Sequence, residues 1–257
     1  MPKDFTLGLY ESWELNEASG NFIGQKGSVE LVPNGVTQGQ ATLMSGGDGS
    51  CLGDGINDDI RITPPTAGMK FGTASFAIEI WAKLAVLNLI GQSTFFTQRT
   101  TTALGALFDT TTDLVTQNTR YYVQDGSSHS ASLAGQALSI NTVYQFVFGV
   151  NRTTNLLWAY RNASSEGTAV DTSAVLSIST TSDYNQWLAA AAGAFMNSYI
   201  QRKRIWTGSN SEFSGTDVTE LYNSGSGLTY ANLSQAVAGG GPARGFKKSM
   251  RSVLMIP

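Results

Sequence analysis

The sequence predicts an all-β fold, on three observations. Several segments alternate large apolar residues with small or polar ones at a period of two, which places an apolar row on one face of a strand. The chain is rich in Gly, with 28 residues, and in Thr, Ser and Asn, as expected for short strands joined by turns. Helix signals are scarce. All-β sandwiches of about this length, 257 residues, often form a single domain.

The clearest strands lie in the middle of the chain. Residues 76–81, 144–148 and 156–160 each place their first, third and fifth side chains on one face, and most of these are large and apolar. Residues 149–155 contain Gly and two Asn residues and predict a hairpin turn between the last two segments. A later strand is predicted over residues 198–206.

One short helix is predicted over residues 214–223. Either Ser214 or Thr216 can cap its N-terminus, acidic residues occupy its first turn, and Asn-Ser-Gly at 223–225 ends it.

The composition changes near residue 237, which divides the chain into residues 1–236 and 237–257. The stretch Ala-Gly-Gly-Gly-Pro at 238–242 predicts a flexible hinge, and a basic and then apolar segment follows it. This segment is either a frayed terminus or an anchoring arm, because an exposed apolar end needs a cover. The candidate partner-anchoring residues are Phe246, Lys247, Lys248, Arg251, Leu254 and Ile256.

Composition argues against several classes of partner. Charged residues make up 14% of the chain and the net charge is −3, so no basic field favours nucleic acid. The N-terminus lacks the apolar region of a standard secretory signal, and no apolar run is long enough to cross a bilayer. The single cysteine, Cys51, is expected to be a buried thiol. The basic run 202–204 is expected on a solvated or partner-facing sheet, with Arg202 and Arg204 on one face and Lys203 on the other.

Four segments occur in an order that resembles a known family. Residues 10–20 read Tyr-Glu-Ser-Trp-Glu-Leu-Asn-Glu-Ala-Ser-Gly, residues 54–60 read Asp-Gly-Ile-Asn-Asp-Asp-Ile, and residues 76–83 read Phe-Ala-Ile-Glu-Ile-Trp-Ala-Lys. A strand at 200–206 with a short helix at 218–223 follows. Together they resemble laminin-G-like members of the concanavalin A-like lectin/glucanase superfamily.

The resemblance covers roughly residues 5 to 232. It implies a two-sheet antiparallel jelly-roll sandwich with one short helix and a C-terminal extension. The segment 221–230 is similar to laminin-G-like proteins that are common in phage genomes. Where the family often has an acidic strand centre, this chain has Gln-Arg-Lys-Arg at 201–204, so no role of those acids is carried over.

The residues argue against catalysis. Glucanases of this superfamily place a Glu-x-Asp-x-x-Glu motif on one strand, whereas Glu79 stands alone in its strand. The Gln-x-His element of jelly-roll lyases is missing because Ser127 precedes His129 by two positions. We therefore expect no enzymatic activity and no catalytic residues.

Acidic residues near the second motif leave a calcium site open. Asp54, Asp58 and Asp59 supply the oxygen ligands that calcium prefers. Turn formation explains the same residues without a ligand and is the favoured interpretation, so no cofactor is required.

Aromatic residues near loop-like segments are the candidates for sugar binding, namely Tyr121, Tyr122, Tyr184 and Trp187. Tyr121 and Tyr122 point to opposite faces if they lie in a strand, so at most one can belong to a platform. Packing is the favoured role for these residues too. Trp13, Trp81, Trp158 and Trp206 are expected in the core.

The functional expectation is a non-catalytic structural or binding module. The resemblance favours a phage virion protein, either a head decoration or a fibre protein, located on the virion. Its expected partners are other virion subunits such as the major capsid protein, with a homo-oligomer or many copies on a particle. The alternative is a carbohydrate-binding adhesin or lectin that recognises cell-surface glycans.

Overall fold

The computed structural model describes residues 3–45, 49–62, 70–86, 94–99, 104–110, 117–125, 129–178, 184–187 and 195–234. Within these residues the strands form two antiparallel sheets. Across the nine-stranded sheet the main order is β14 (Ser164–Ser165), β13 (Leu156–Arg161), β12 (Val143–Asn151), β7 (Phe76–Leu84), β17 (Asn197–Thr207), β5 (Ser50–Asp54) and β4 (Thr37–Gln40). In the same sheet, β1 (Leu9–Trp13) pairs with β17, and β15 (Val170–Asp171) pairs with β13.

Eight strands of the described residues form the other sheet. Their order is β11 (Ser130–Ala137), β10 (Asn118–Gln124), β9 (Leu104–Thr110), β8 (Thr94–Arg99), β16 (Tyr184–Trp187), β6 (Asp59–Ile62), β3 (Glu30–Asn34) and β2 (Phe22–Ile23). The all-β sandwich predicted from the sequence is confirmed.

The main core lies between the sheets and is rich in aromatic residues. Alternate side chains of β7 enter it, with Phe76, Ile78 and Ile80 all fully buried. From the facing sheet, Phe108 stacks on Phe95 at a ring-centroid distance of 4.5 Å. The period-two pattern therefore predicted the inward rows of β7 and β12, because successive strand residues point to opposite faces. In β13 the predicted row is on the other face: Trp158 and Tyr160 point outward, and Leu157 and Ala159 enter the main core.

A second apolar cluster covers the outer face of the nine-stranded sheet. Trp158 and Trp206 pack there against Phe213, Val218 and Leu221. The last three belong to the C-terminal part of the described chain, which contains the helix α1 (Gly215–Tyr222). The central strands β7, β12 and β17 are thus buried on both faces, and the four tryptophans expected in the core are at most 8% exposed.

The helix α1 begins and ends where the sequence predicts. Ser214 is the N-cap and forms a capping box with Asp217, whose carboxylate accepts the Ser214 backbone N–H at 2.7 Å. Asn223 ends the helix in a left-handed conformation with φ 46°.

The basic run 202–204 corrects a sequence prediction. Arg202 and Arg204 do lie on one face and Lys203 on the other, but all three are at most 1% exposed. The register of β17 shifts between Ile200 and Lys203, so the Lys203 side chain points into the main core. On the neighbouring strands, Trp13 and Ile80 are its backbone register partners. The expected solvated sheet is wrong because the segment around α1 covers the face that carries the two arginines.

Candidate binding surface

The outer face of the eight-stranded sheet carries a cross-strand row that contains Tyr122. In β10, Tyr122 is partly exposed and in register with Ser132 of β11 and with Leu107 of β9. The row continues through Thr97 of β8 towards Arg61 of β6. Residues in register across antiparallel strands share a face, so the row crosses the sheet perpendicular to its strands.

The middle of this outer face is not accessible to solvent. Thr94, Thr97 and Asp109 are each at most 1% exposed although they lie on the outer side. The open part is at β10 and β11, where Tyr122, Arg120 and Gln124 are partly exposed and the serines paired with Tyr122 and Gln124, Ser132 and Ser130, are exposed. We call these five residues the Tyr122 surface: Arg120, Tyr122, Gln124, Ser130 and Ser132.

An ion pair fixes Arg120 within the Tyr122 surface. Arg120 Nε and Nη2 donate to the two carboxylate oxygens of Asp109 at 2.9 and 2.6 Å. Hydrogen bonding to Asp109 is the main cause of the raised pKa of Arg120. The pKa of Asp109 is also raised, because the effect of burial is larger than the opposing effect of Arg120. This two-point ion pair occupies one edge of the Arg120 guanidinium. The Arg120 side chain stays about 30% exposed beside Tyr122.

Tyr121 is not available as a sugar platform. Its side chain is fully buried in the main core and stacks on Phe108 with ring centroids 4.7 Å apart. Its hydroxyl donates to the buried carboxylate of Glu166 at 3.5 Å, and burial raises the tyrosine pKa well above its ordinary value. The sequence argument that at most one of the two adjacent tyrosines reaches the surface was correct, and Tyr122 is that residue.

The other two aromatic candidates lie in β16. Tyr184 is in register with Arg99, and Trp187 is in register with Ile60 and Phe96. Both partners of Trp187 are fully buried core residues. The backbone thus places Tyr184 and Trp187 four strands from β11, and their role in binding stays a prediction.

The acidic turn after β5 is held by its own hydrogen bonds. Asp54 Oδ1 accepts from the backbone N–H of Ile56 at 2.7 Å, and Asp58 Oδ2 accepts from the N–H of Asp54 at 2.8 Å. Asp59 forms a two-point ion pair with Arg61. Among the described residues no group of three or more metal-binding side chains converges. Turn hydrogen bonds engage Asp54 and Asp58, and the ion pair with Arg61 engages Asp59.

A buried charge network underlies α1, and sequence reasoning missed it. Arg204 donates to Glu79 Oε2 and to Glu14 Oε1, each at 3.0 Å, and Arg202 donates to Glu14 at 2.7 Å. Glu79 also accepts from Trp81 at 2.8 Å and Gln145 at 2.7 Å. The carboxylate at position 79 is therefore enclosed by donors and has no open side for substrate.

Cys51, His129 and the predicted anchoring residues are the remaining candidates. Cys51 is fully buried, as predicted, and burial raises its thiol pKa to about 12. The His129 ring lies 3.1 Å from the Asp125 carboxylate and is half exposed. The anchoring residues Phe246, Lys247, Lys248, Arg251, Leu254 and Ile256 lie outside the described residues. No helix in the described ranges has the length and hydropathy needed to cross a membrane.

Comparison with known proteins identifies the sandwich by shape alone. No protein-family model and no curated protein sequence matches the chain. Among solved structures, the binding domain of Paraclostridial Mosquitocidal Protein 1 is similar, with a TM-score of 0.68 and 13% identity over 86% of this chain.

Botulinum neurotoxin binding domains are similar too. The domain of neurotoxin DC solved in complex with rat synaptotagmin II has a TM-score of 0.60, with 13% identity over 89% of this chain. The same neurotoxin's domain in complex with SialylT has a TM-score of 0.57, with 13% identity over 84% of this chain. This chain spans about half the length of these domains, 51–53%. At such low identity the likeness establishes the all-β sandwich fold and nothing beyond it.

Proposed function

We propose that this chain is a non-catalytic binding module that recognises a carbohydrate through the Tyr122 surface. The observation that carries the proposal is a partly exposed aromatic ring among Arg120, Gln124 and two exposed serines on a rigid sheet. An aromatic face packs against the apolar face of a sugar, and the surrounding donors and acceptors bind its hydroxyl groups. The similar solved structures support this proposal because they are binding domains, and one of them is in complex with SialylT.

The absence of catalysis is part of the proposal. Glu79 is the acidic residue of β7, is fully buried, and forms hydrogen bonds with Trp81, Gln145 and Arg204. A glycosidase needs two carboxyl groups that flank a substrate. On the Tyr122 surface the neighbouring carboxylate, Asp109, is 1% exposed and bound to Arg120.

Replacing Tyr122 by alanine tests the carbohydrate site. We expect the natural chain to bind a subset of a broad glycan array and the Tyr122→Ala chain to bind those glycans about tenfold more weakly, since a contact aromatic contributes roughly 1–2 kcal/mol. The matched control is Tyr199→Ala, because Tyr199 is also partly exposed but lies on the nine-stranded sheet over Lys83. Failure of the natural chain to bind any glycan, or equal binding by both variants, would contradict the site.

We further propose that the module works on a phage virion, in several copies attached to other virion subunits. The resemblance of residues 221–230 to phage laminin-G-like proteins supports this setting. So does the Gly-rich hinge followed by the basic and apolar segment at 243–257, a composition suited to an anchoring arm.

A truncated chain that ends at Ala238 tests this second proposal. The sandwich should keep its thermal unfolding midpoint because the apolar clusters described above end at Leu233. Attachment should be lost, as measured by mass spectrometry of purified particles that display the natural or the truncated chain. Unchanged attachment would refute the arm, and absence of the full-length chain from particles would refute the virion setting.

A further inference from the structure

A strap formed by residues 172–178 closes one end of the sandwich. Val175 and Ile178 insert into the main core, and the Ile178 N–H donates to the carbonyl oxygen of Gly72 at 2.8 Å. The start of the strap is tied to the β12–β13 turn, because the Thr172 N–H donates to the carbonyl oxygen of Asn155 at 2.8 Å. From the same turn, Arg152 Nη1 donates to the carbonyl oxygen of Val175 at 2.7 Å.

The other edge of the Arg152 guanidinium has no acceptor among the described residues. Its Nε and Nη2 atoms are buried and make no hydrogen bond with any described residue. Burial lowers the pKa of Arg152 from its ordinary value. Arg152 as a whole is partly buried, but burying two of its N–H groups without an acceptor is costly, and a bound acceptor would offset that cost.

Two other arginines of this chain show which chemical group fits the Nε/Nη2 edge. Arg61 and Arg120 both use Nε together with Nη2, and in each case the edge binds the two oxygens of an aspartate. This edge matches the spacing of two oxygens on a carboxylate, sulfate or phosphate. Arg152 presents the same pair of donors without the aspartate.

A second unsatisfied group lies on the strap. Thr172 is 1% exposed and its Oγ1 makes no hydrogen bond with any described residue. The Val175 N–H donates to the carbonyl oxygen of Thr172 at 2.9 Å, so the turn that begins at Thr172 ends at the residue held by Arg152.

Three described carboxylates lie near this turn, and all have other partners. Asp171 accepts from the N–H and the hydroxyl of Ser173 at 2.8 and 2.9 Å. Glu212 Oε1 accepts from Ser75 Oγ at 2.6 Å and from Thr153 Oγ1 at 2.9 Å. Asp125 accepts from the Leu176 N–H at 3.2 Å and binds His129. None of them forms an ion pair with Arg152, so within the described part of the chain the Nε/Nη2 edge has room for an external anion.

We propose that the Nε/Nη2 edge of Arg152, assisted by the Thr172 hydroxyl, binds a small oxyanion that locks the strap to the β12–β13 turn. The ligand class is a planar or tetrahedral oxyanion: a carboxylate, a sulfate or a phosphate. The donors are buried, so the ligand enters when the strap opens and its binding holds the strap closed. This site is separate from the Tyr122 surface, which lies on a sheet face rather than at a sandwich end.

Thermal unfolding in a series of anions tests the proposal. The full chain is titrated with sodium sulfate, sodium phosphate or sodium acetate, and sodium chloride is the reference at matched ionic strength. A ligand that binds only the folded state raises the unfolding midpoint as its concentration rises. We expect a saturable rise with at least one oxyanion, and the ranking of acetate against sulfate and phosphate separates a carboxylate site from a site for tetrahedral anions.

The diagnostic variant is Arg152→Lys, which keeps a positive charge and a donor for the Val175 carbonyl but loses the two-point edge. We expect its apparent anion affinity to fall by about tenfold or more. Arg61→Lys is the matched control and should keep the natural anion response, as it changes an arginine whose edge is already occupied by Asp59. Equal responses in chloride and oxyanions, or an unchanged response in Arg152→Lys, would overturn the proposal.

Discussion

Replacing Arg204 by methionine is expected to lower the free energy of unfolding by about 3–5 kcal/mol, the usual range for breaking a buried ion pair. Arg204 is fully buried and its guanidinium joins Glu79, Glu14 and the carbonyl oxygen of Leu228. Without it, Glu79 keeps its hydrogen bonds to neutral donors but loses the positive charge that compensates its burial. Chemical denaturation followed by tryptophan fluorescence measures the loss.

A double variant separates this charge effect from simple packing. Adding Glu79→Gln to Arg204→Met removes the carboxylate that the first change leaves uncompensated, so we expect part of the lost stability to return. The two single variants and the double variant form a cycle whose coupling should be favourable. A loss below about 1 kcal/mol for Arg204→Met would show that the network does not carry the predicted energy.

The neighbouring residue, Lys203, should control the pH dependence of stability. Lys203 is fully buried in the main core, and burial lowers its pKa well below the ordinary value of 10.5. Between its folded pKa and 10.5 the unfolded chain holds one more proton than the folded chain, so stability rises with pH in that window. The slope contributed by one such group reaches about 1.4 kcal/mol per pH unit.

Comparing the natural chain with Lys203→Met isolates this contribution. We expect the natural chain to gain stability relative to the variant as the pH is raised from about 7 to about 9. The pH stays below about 9 because above 9.0 the Cys51 thiol ionises in the unfolded chain but not in the folded chain. That difference would lower stability as the pH rises. Parallel stability curves for the two chains would contradict the lowered lysine pKa. A methionine stem has a similar length without the charge, so both chains should fold.

Much of the sandwich could be predicted because its signals are local. Strand alternation identified the inward row of β7, and Asn223 identified the end of α1. For its start the sequence offered Ser214 and Thr216, and the structure shows Ser214 as the cap. Each of these signals depends on neighbouring residues and on backbone geometry that a short segment dictates by itself. The separation of Tyr121 from Tyr122 followed from the same two-residue period.

The candidate sites were harder to predict because burial depends on distant segments. The alternation in β10 gives two faces, but it does not say that Tyr121 would meet Phe108 and Glu166. Likewise, the Arg152 guanidinium is held by the carbonyl oxygen of Val175, which is 23 residues away. No local pattern in the sequence marks either arrangement.

Short-range periodicity and capping were enough to predict the all-β class, the inward rows of β7 and β12, and the short helix α1. The positions of the buried charges depend on the folded chain. The run Arg202-Lys203-Arg204 looked solvated, yet a register shift turns Lys203 into the core while Glu14 and Glu79 meet the arginines beneath α1. The physical reason is that an ion pair forms between residues up to 190 positions apart, and only the folded chain brings them within hydrogen-bond distance.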